Sequence, residues 1–296
     1  MSDKIKGYLY LTAAMTTVGS TVIASKIIAA GVPPFTATAL RFAMALPVFI
    51  AIMLLTGRRL PKLSRRDRLL VVLQAVAGSV GYTTLLIAGL SLTSAANAGI
   101  IIGTLPVVSG AIAILLLGER PRPGIYLALA IAASGVLAIV LQPGEGQSSV
   151  IGDVLIFGAV LCEGLFILVN KRLRTPVEPL ALSTLVTAIG LAACVIPAAF
   201  ETHLNSMQIQ PALWAIAYYA LVPTVAGFLF WYAGARRVSG AEASVFTAVA
   251  PVSAVFMAAS VLGETISLNH VLGIGCVLAA VLGLGLSEIR LRKRPA

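Results

Sequence analysis

The chain has 296 residues, 59% of them apolar and only 11% charged, with a mean hydropathy of +1.00 and a formal net charge of +10. This composition lies far outside that of soluble globular domains. The basic residues fall in short clusters between long apolar runs, which excludes the continuous basic face of a nucleic-acid binder.

Spanning lipid as a helix takes about 20 apolar residues, because every backbone N–H and C=O must be paired within the segment. Ten stretches meet that length, at residues 7–29, 35–56, 69–90, 95–117, 124–142, 150–170, 180–200, 212–234, 241–262 and 270–289. Barrel strands would instead need segments of about 10 alternating residues, and runs such as Val154–Val169 do not alternate. The expectation is an all-α integral membrane protein of ten transmembrane helices. Lys4 and Lys6 before the first run resemble the start of a signal peptide. That first run, however, pairs position by position with residues 152–174, deep inside the chain, so it is expected to stay as helix 1.

The chain repeats itself at an ungapped offset of 145 residues. Gly7 matches Gly152, Gly19 matches Gly164, Lys26 matches Lys171 and Pro34 matches Pro179. The same shift carries Ala88-Gly89 onto Ala233-Gly234, Pro106-Val107 onto Pro251-Val252, and Leu117-Gly118-Glu119 onto Leu262-Gly263-Glu264. A unit this long is a half-molecule, far beyond a solenoid repeat of roughly 20–50 residues. The expected division is 1–145 and 146–296, with five helices in each half. An odd number of helices forces the two halves to insert in opposite senses, as in transporters built from inverted repeats around a central pathway.

Nineteen of the 21 Lys and Arg residues fall on one side of this topology. They are Lys4 and Lys6 at the start, the cluster from Arg58 to Arg68, Arg120 and Arg122, the group Lys171 to Arg174, Arg236 and Arg237, and the tail from Arg290. Only Lys26 lies near the opposite face, and Arg41 lies inside helix 2. The excess of positive charge marks the cytoplasmic side, so both termini are expected inside a multi-pass protein of the inner membrane. The Arg58–Arg68 cluster also suits anionic lipid.

The duplicated five-helix unit, the Leu-Gly-Glu ending the fourth helix of each copy (117–119, 262–264) and the Leu105-Pro106 and Ala250-Pro251 in its middle together resemble the EamA-type branch of the drug/metabolite transporter superfamily. The resemblance covers essentially the whole chain. It implies a ten-helix carrier for small metabolites, often an exporter of amino acids or related compounds. In such a carrier helices 1–4 and 6–9 would surround the pathway, with helices 5 and 10 peripheral.

Polar residues inside the spans are the candidate substrate contacts, because an ionisable group in a bilayer is costly and faces a cavity or a partner by default. Glu163, on one face of helix 6 with Ala159 and Phe166, has Val18 as its repeat counterpart, so the scaffold does not require an acid there. Its expected role is amine recognition or proton coupling, against the plainer reading of a protonated side chain bonded to a neighbouring helix. Arg41 either binds a substrate carboxylate as a fork or snorkels to the outer headgroups. Thr17 and Ser20 on helix 1, Gln74 and Tyr82 on helix 3, and Trp231 on helix 8 are further pathway candidates, with close helix packing as the alternative. Trp214, Tyr218 and Tyr219 read as an interfacial belt.

Ser94 and Ser239 stand three residues before Asn97 and Glu242, the spacing of helix N-caps. Asn97, the weaker capper, remains a candidate for substrate. Glu119 and Glu264 oppose the dipole at their helix ends, so each calls for a tertiary partner. Pro106 and Pro251 are read as equivalent hinges, with static kinks as the alternative.

Neither metal nor cofactor is expected. Cys162, Cys194 and Cys276 have no ligand spacing, and the sequence contains no phosphate-binding loop. An intramembrane enzyme would need clustered acids, histidines or nucleophiles, and His203 and His270 lie in or beside outer loops. The reading is a secondary transporter for an amino-acid-like small molecule, with a channel-like facilitator as the alternative and an intramembrane enzyme behind it.

Overall fold

The computed structural model describes residues 3–105, 108, 112, 131, 149–175, 177–201, 205–235, 237, 246, 249–268, 270–276 and 278–279. Among these residues every regular element is helical. Pro106, Glu119, His203, Glu242, nearly all of the fifth predicted span and the end of the tenth lie outside them.

Helix α1 runs Asp3–Ala29 and α2 Pro34–Leu55. The third span consists of α3 (Arg65–Leu73), a wide π-helical stretch Gln74–Gly81, and α4 (Tyr82–Leu90). After a four-residue turn comes α5 (Ala95–Ile102). The second half contributes α6 (Val150–Lys171) and α7 (Pro179–Ala199). Its eighth span is α8 (Ile209–Tyr219), a second π-helical stretch Ala220–Ala226, and α9 (Gly227–Ala235), and α10 (Val249–Leu262) follows. Among the described residues five stretches are long and apolar enough to cross a membrane: Ile5–Ala29, Pro34–Leu55, Arg65–Leu90, Pro179–Ala199 and Ile209–Trp231.

Local chemistry sets several of these boundaries. The equivalent residues Pro34 and Pro179 each occupy the start of a helix, where no N–H is needed and the ring's φ already suits the helix. Ser64 and Ser94 cap α3 and α5, their hydroxyls accepting from the N–H groups of Asp67 and Asn97. Gly57, just past α2, has φ +65, the left-handed conformation that glycine takes without strain.

Side chains are distributed as lipid demands. Leu55, Ile196 and Phe256 are exposed on the outside, whereas Ser25, Thr38, Gln74 and Thr187 are fully enclosed. A surface of large apolar side chains over a partly polar interior is unstable in water and at rest in a bilayer.

The two halves interlock. Equivalent helices α2 and α7 pack along one another and run antiparallel. Arg58, just beyond the end of α2, pairs with Glu178 at the start of α7. At the other end Glu201, after α7, accepts from the N–H groups of Phe35 and Thr36 at 3.0 and 2.7 Å. Likewise α1 packs on α9, and their equivalents α6 and α4 pack on each other. The contact is glycine-mediated both times. A Cβ on Gly89 would come within 2.6 Å of Ile156 Cδ1, and one on Gly234 within 2.7 Å of Leu11 Cγ. Leu11 and Ile156 are themselves equivalent under the 145-residue shift, so the same close approach is made once by each half.

Candidate functional site

The site begins with a proline. Pro223 has no N–H, so the carbonyl of Tyr219, four residues earlier, cannot receive its α-helical bond. The chain widens here into the Ala220–Ala226 π-helical stretch, and the Thr224 hydroxyl donates to the Tyr219 carbonyl at 2.9 Å. π-helical turns of this kind concentrate at functional sites. In the first π-helical stretch Gly78 lets α6 approach closely, since a Cβ there would lie within 2.7 Å of Phe166 Cγ.

Between these stretches lies a cavity of about 80 Å³ to which both halves contribute. That is several times the ~10–15 Å³ that admits one water. Its lining obeys the repeat. Val18 and Glu163, Thr21 and Phe166, Gly78 and Pro223, Ser79 and Thr224, and Thr83 and Phe228 are equivalent pairs, and both members of each pair line it. The cavity therefore sits where the two halves meet about their common pseudo-axis. The first half brings mainly small or hydroxylic side chains to these positions, and the second brings the carboxylate and the aromatic rings.

Arg41 of α2 enters the same cavity and is 6% exposed. Its guanidinium lies 4.3 Å from the ring centre of Phe42 and 4.7 Å from that of Tyr219, a stacking that partly offsets the loss of water. Nη1 donates to Thr224 Oγ1 at 3.4 Å, whereas Nε and Nη2 are buried with no hydrogen-bond partner. Leaving charged donors unpaired in a low dielectric is expensive. Snorkelling, the other expectation for Arg41, does not occur, because the side chain turns inward.

The expected site residues divide. Arg41, Tyr82 and Glu163 share the cavity. Thr17 bonds back to the Ala14 carbonyl and packs against Gly227. Ser20 accepts from the Tyr218 hydroxyl at 2.8 Å and donates to the Thr17 carbonyl. Gln74 is enclosed against α6, its amide donating to the Phe166 carbonyl at 3.3 Å and its Oε1 left unpaired. Trp231 packs with Ala14, Met15 and Ala250. Asn97 faces His270, with Oδ1 2.8 Å from Nε2.

Pro251 is buried on α10; residues 247 and 248, which precede that helix, lie outside the described residues. Tyr219 departs from expectation. It is 2% exposed beneath Arg41, not in an interfacial belt, while Trp214 is exposed. Tyr219, Thr224 and Phe166 were not singled out from sequence as site residues, and the signal that could have found the first two is a mid-span Pro223 followed by a hydroxyl.

Other polar groups tie the structure together at helix ends. Glu264 accepts from the N–H groups of Ala95 and Ala96, both at 2.9 Å, so the tertiary partner it called for is the start of α5. Lys26 Nζ donates to the carbonyls of Leu90 and Thr93. Among the described residues no three His, Cys, Asp or Glu side chains converge as a metal site.

The profile of the EamA-like transporter family matches this chain twice, over residues 5–141 and 150–286. The uncharacterized transporter YetK of Bacillus subtilis is 31% identical over 95% of this chain and 87% of its own length. The uncharacterized inner membrane transporter YedA of Escherichia coli K12 is 25% identical over 94% and 90%. A solved crystal structure, 21% identical, aligns over 99% of both chains with a TM-score of 0.67, a likeness of fold.

Proposed function

Because the chain belongs to the EamA-like transporter family, and is thus a multi-pass membrane transporter, we propose that it is a secondary transporter carrying an amino-acid-like metabolite by alternating access. The observation that carries this reading is the central cavity, walled by both halves and lined by one guanidinium and one carboxylate, Arg41 and Glu163. A zwitterion has a charge for each, and the aromatic groups of Tyr82, Phe166 and Phe228 offer a surface to its side chain.

Alternating access is supported by the mirrored contacts of α1 with α9 and α6 with α4, and by the antiparallel pairing of α2 with α7. Two halves, 1–145 and 146–296, inserted in opposite senses give two near-equivalent conformations, one open to each side. The full complement is ten helices, with the termini on the cytoplasmic side of the inner membrane where the positive charge collects. Pro106 and Pro251 remain the proposed hinges of helices 4 and 9. The export direction rests on the resemblance to metabolite exporters.

Counterflow in liposomes containing the purified protein tests the reading. A panel of amino acids preloaded inside is expected to drive saturable accumulation of labelled external amino acid. Equal, non-saturable flux of every solute would instead make the protein a channel, and conversion of a solute without translocation would make it an enzyme.

A further inference from the structure

The free atoms of Arg41 are not scattered. Nε–H and the adjacent N–H of Nη2 lie on one edge of the planar guanidinium and point the same way, forming a complete two-pronged donor. These are the two nitrogens that have no partner. The remaining nitrogen, Nη1, is the one held by Thr224. Thr224 is itself fixed, because its hydroxyl hydrogen is committed to the Tyr219 carbonyl that Pro223 leaves without an α-helical donor. The guanidinium carbon also lies over two rings, 4.3 Å from the centre of Phe42 and 4.7 Å from that of Tyr219. Side chains of α2 and of the second π-helical stretch thus orient a buried fork in the cavity wall.

From this geometry we infer that the Nε/Nη2 edge of Arg41 is the site of a substrate carboxylate, and that Thr224 is the residue that positions it. A planar group with two coplanar oxygens meets such an edge with two parallel charge-assisted bonds, which a single-oxygen or neutral group cannot do. Lysine keeps the charge but not the fork. The inference deepens the transport reading above and rests on it for the route by which a substrate reaches the cavity. The chemical requirement falls on the carboxylate, so an amine whose carboxylate has been converted to an amide should be rejected.

The test uses the full chain, purified in detergent and in liposomes, with L-leucine, L-phenylalanine and L-lysine, each beside its carboxamide. Binding is read as ligand-dependent thermal stabilisation and as competition in counterflow. In the native protein at least one acid should bind about tenfold or more tightly than its amide. Arg41→Lys should erase that difference while keeping the unliganded melting temperature and a monodisperse elution profile. Thr224→Val should weaken the acid severalfold and leave the amide unchanged, an effect that general loosening would not produce.

Amides binding as well as acids, an Arg41→Lys variant that still discriminates, or no acid binding at all would each overturn the inference. Acid-selective stabilisation without any liposome flux would uphold the carboxylate site and remove the transport reading. Flux without acid selectivity would do the reverse.

Discussion

At the residue scale, the cavity is a symmetric frame carrying an asymmetric set of charges. Glu163 answers to Val18, which lines the same cavity, and Arg41 answers to Val186, which is buried elsewhere in the core. Neither charge is therefore demanded by the duplicated scaffold, and each must be explained by what it does. In the proposed transport reading, Glu163 is the negative partner for a substrate ammonium. A charge-assisted bond of this kind is worth about 1.5–3 kcal/mol, so Glu163→Gln is expected to weaken leucine by about tenfold or more in counterflow competition. 4-Methylpentanoate, which is leucine without its amine, should be little affected by the same change. An equal loss for both solutes would show that Glu163 acts on the cavity as a whole and not on the amine.

At the scale of elements, the two π-helical stretches fall at equivalent places in the repeat, Gln74–Gly81 and Ala220–Ala226, and both border the cavity. Replacing Pro223 restores the N–H that the Tyr219 carbonyl lacks and permits a regular helix through the break. Proline inside a helix costs about 3 kcal/mol, so Pro223→Ala is expected to hold or raise the melting temperature while cutting transport, because Thr224 leaves its place beside Arg41. Full transport in a stable Pro223→Ala protein would separate the π-helical stretch from function.

The glycine contacts predict the opposite pattern. Gly234→Ala would place its Cβ 2.7 Å from Leu11 Cγ and 3.0 Å from the Leu11 amide nitrogen. Overpacking of that order costs about 1–3 kcal/mol, read as a lower melting temperature. Leu11→Ala should recover part of it in a double-mutant cycle, since only the side-chain clash is relieved.

How much of this could be read beforehand differs by residue. Gly89 and Gly234 were visible as a matched pair, because close helix approach leaves a small residue in both copies. Pro34 and Pro179 likewise marked two helix starts. The first π-helical stretch was not legible, since Gln74–Gly81 contains no proline and a widened turn leaves no apolar period of its own. Arg41 and Glu163 stood out by charge alone, whereas their meeting in one cavity depends on how the elements between α2 and α6 pack. Tyr219 was misplaced because an aromatic near a span's end carries the same signature whether it faces headgroups or a neighbouring guanidinium.

For the whole molecule, the question is which way the interlocked halves sit in the membrane. The segment from Arg58 to Arg68 and the start of α7 share one end of the structure, joined by Arg58 with Glu178 and by Asp67, which accepts from the Arg174 and Thr175 N–H groups. The opposite end of the α2–α7 pair holds Glu201 and the start of α2, and Asn205, a few residues on, donates its amide N–H to the Gly31 carbonyl. Basic residues crowd the first end and are nearly absent from the second. By the positive-inside rule, the proposed orientation has the crowded end in the cytoplasm. In a background with Cys162, Cys194 and Cys276 replaced, an impermeant maleimide added to intact cells should label Asn205→Cys and spare Lys62→Cys, which is labelled only after permeabilisation. Labelling of Lys62→Cys from outside would invert the molecule, and with it the side to which each half opens.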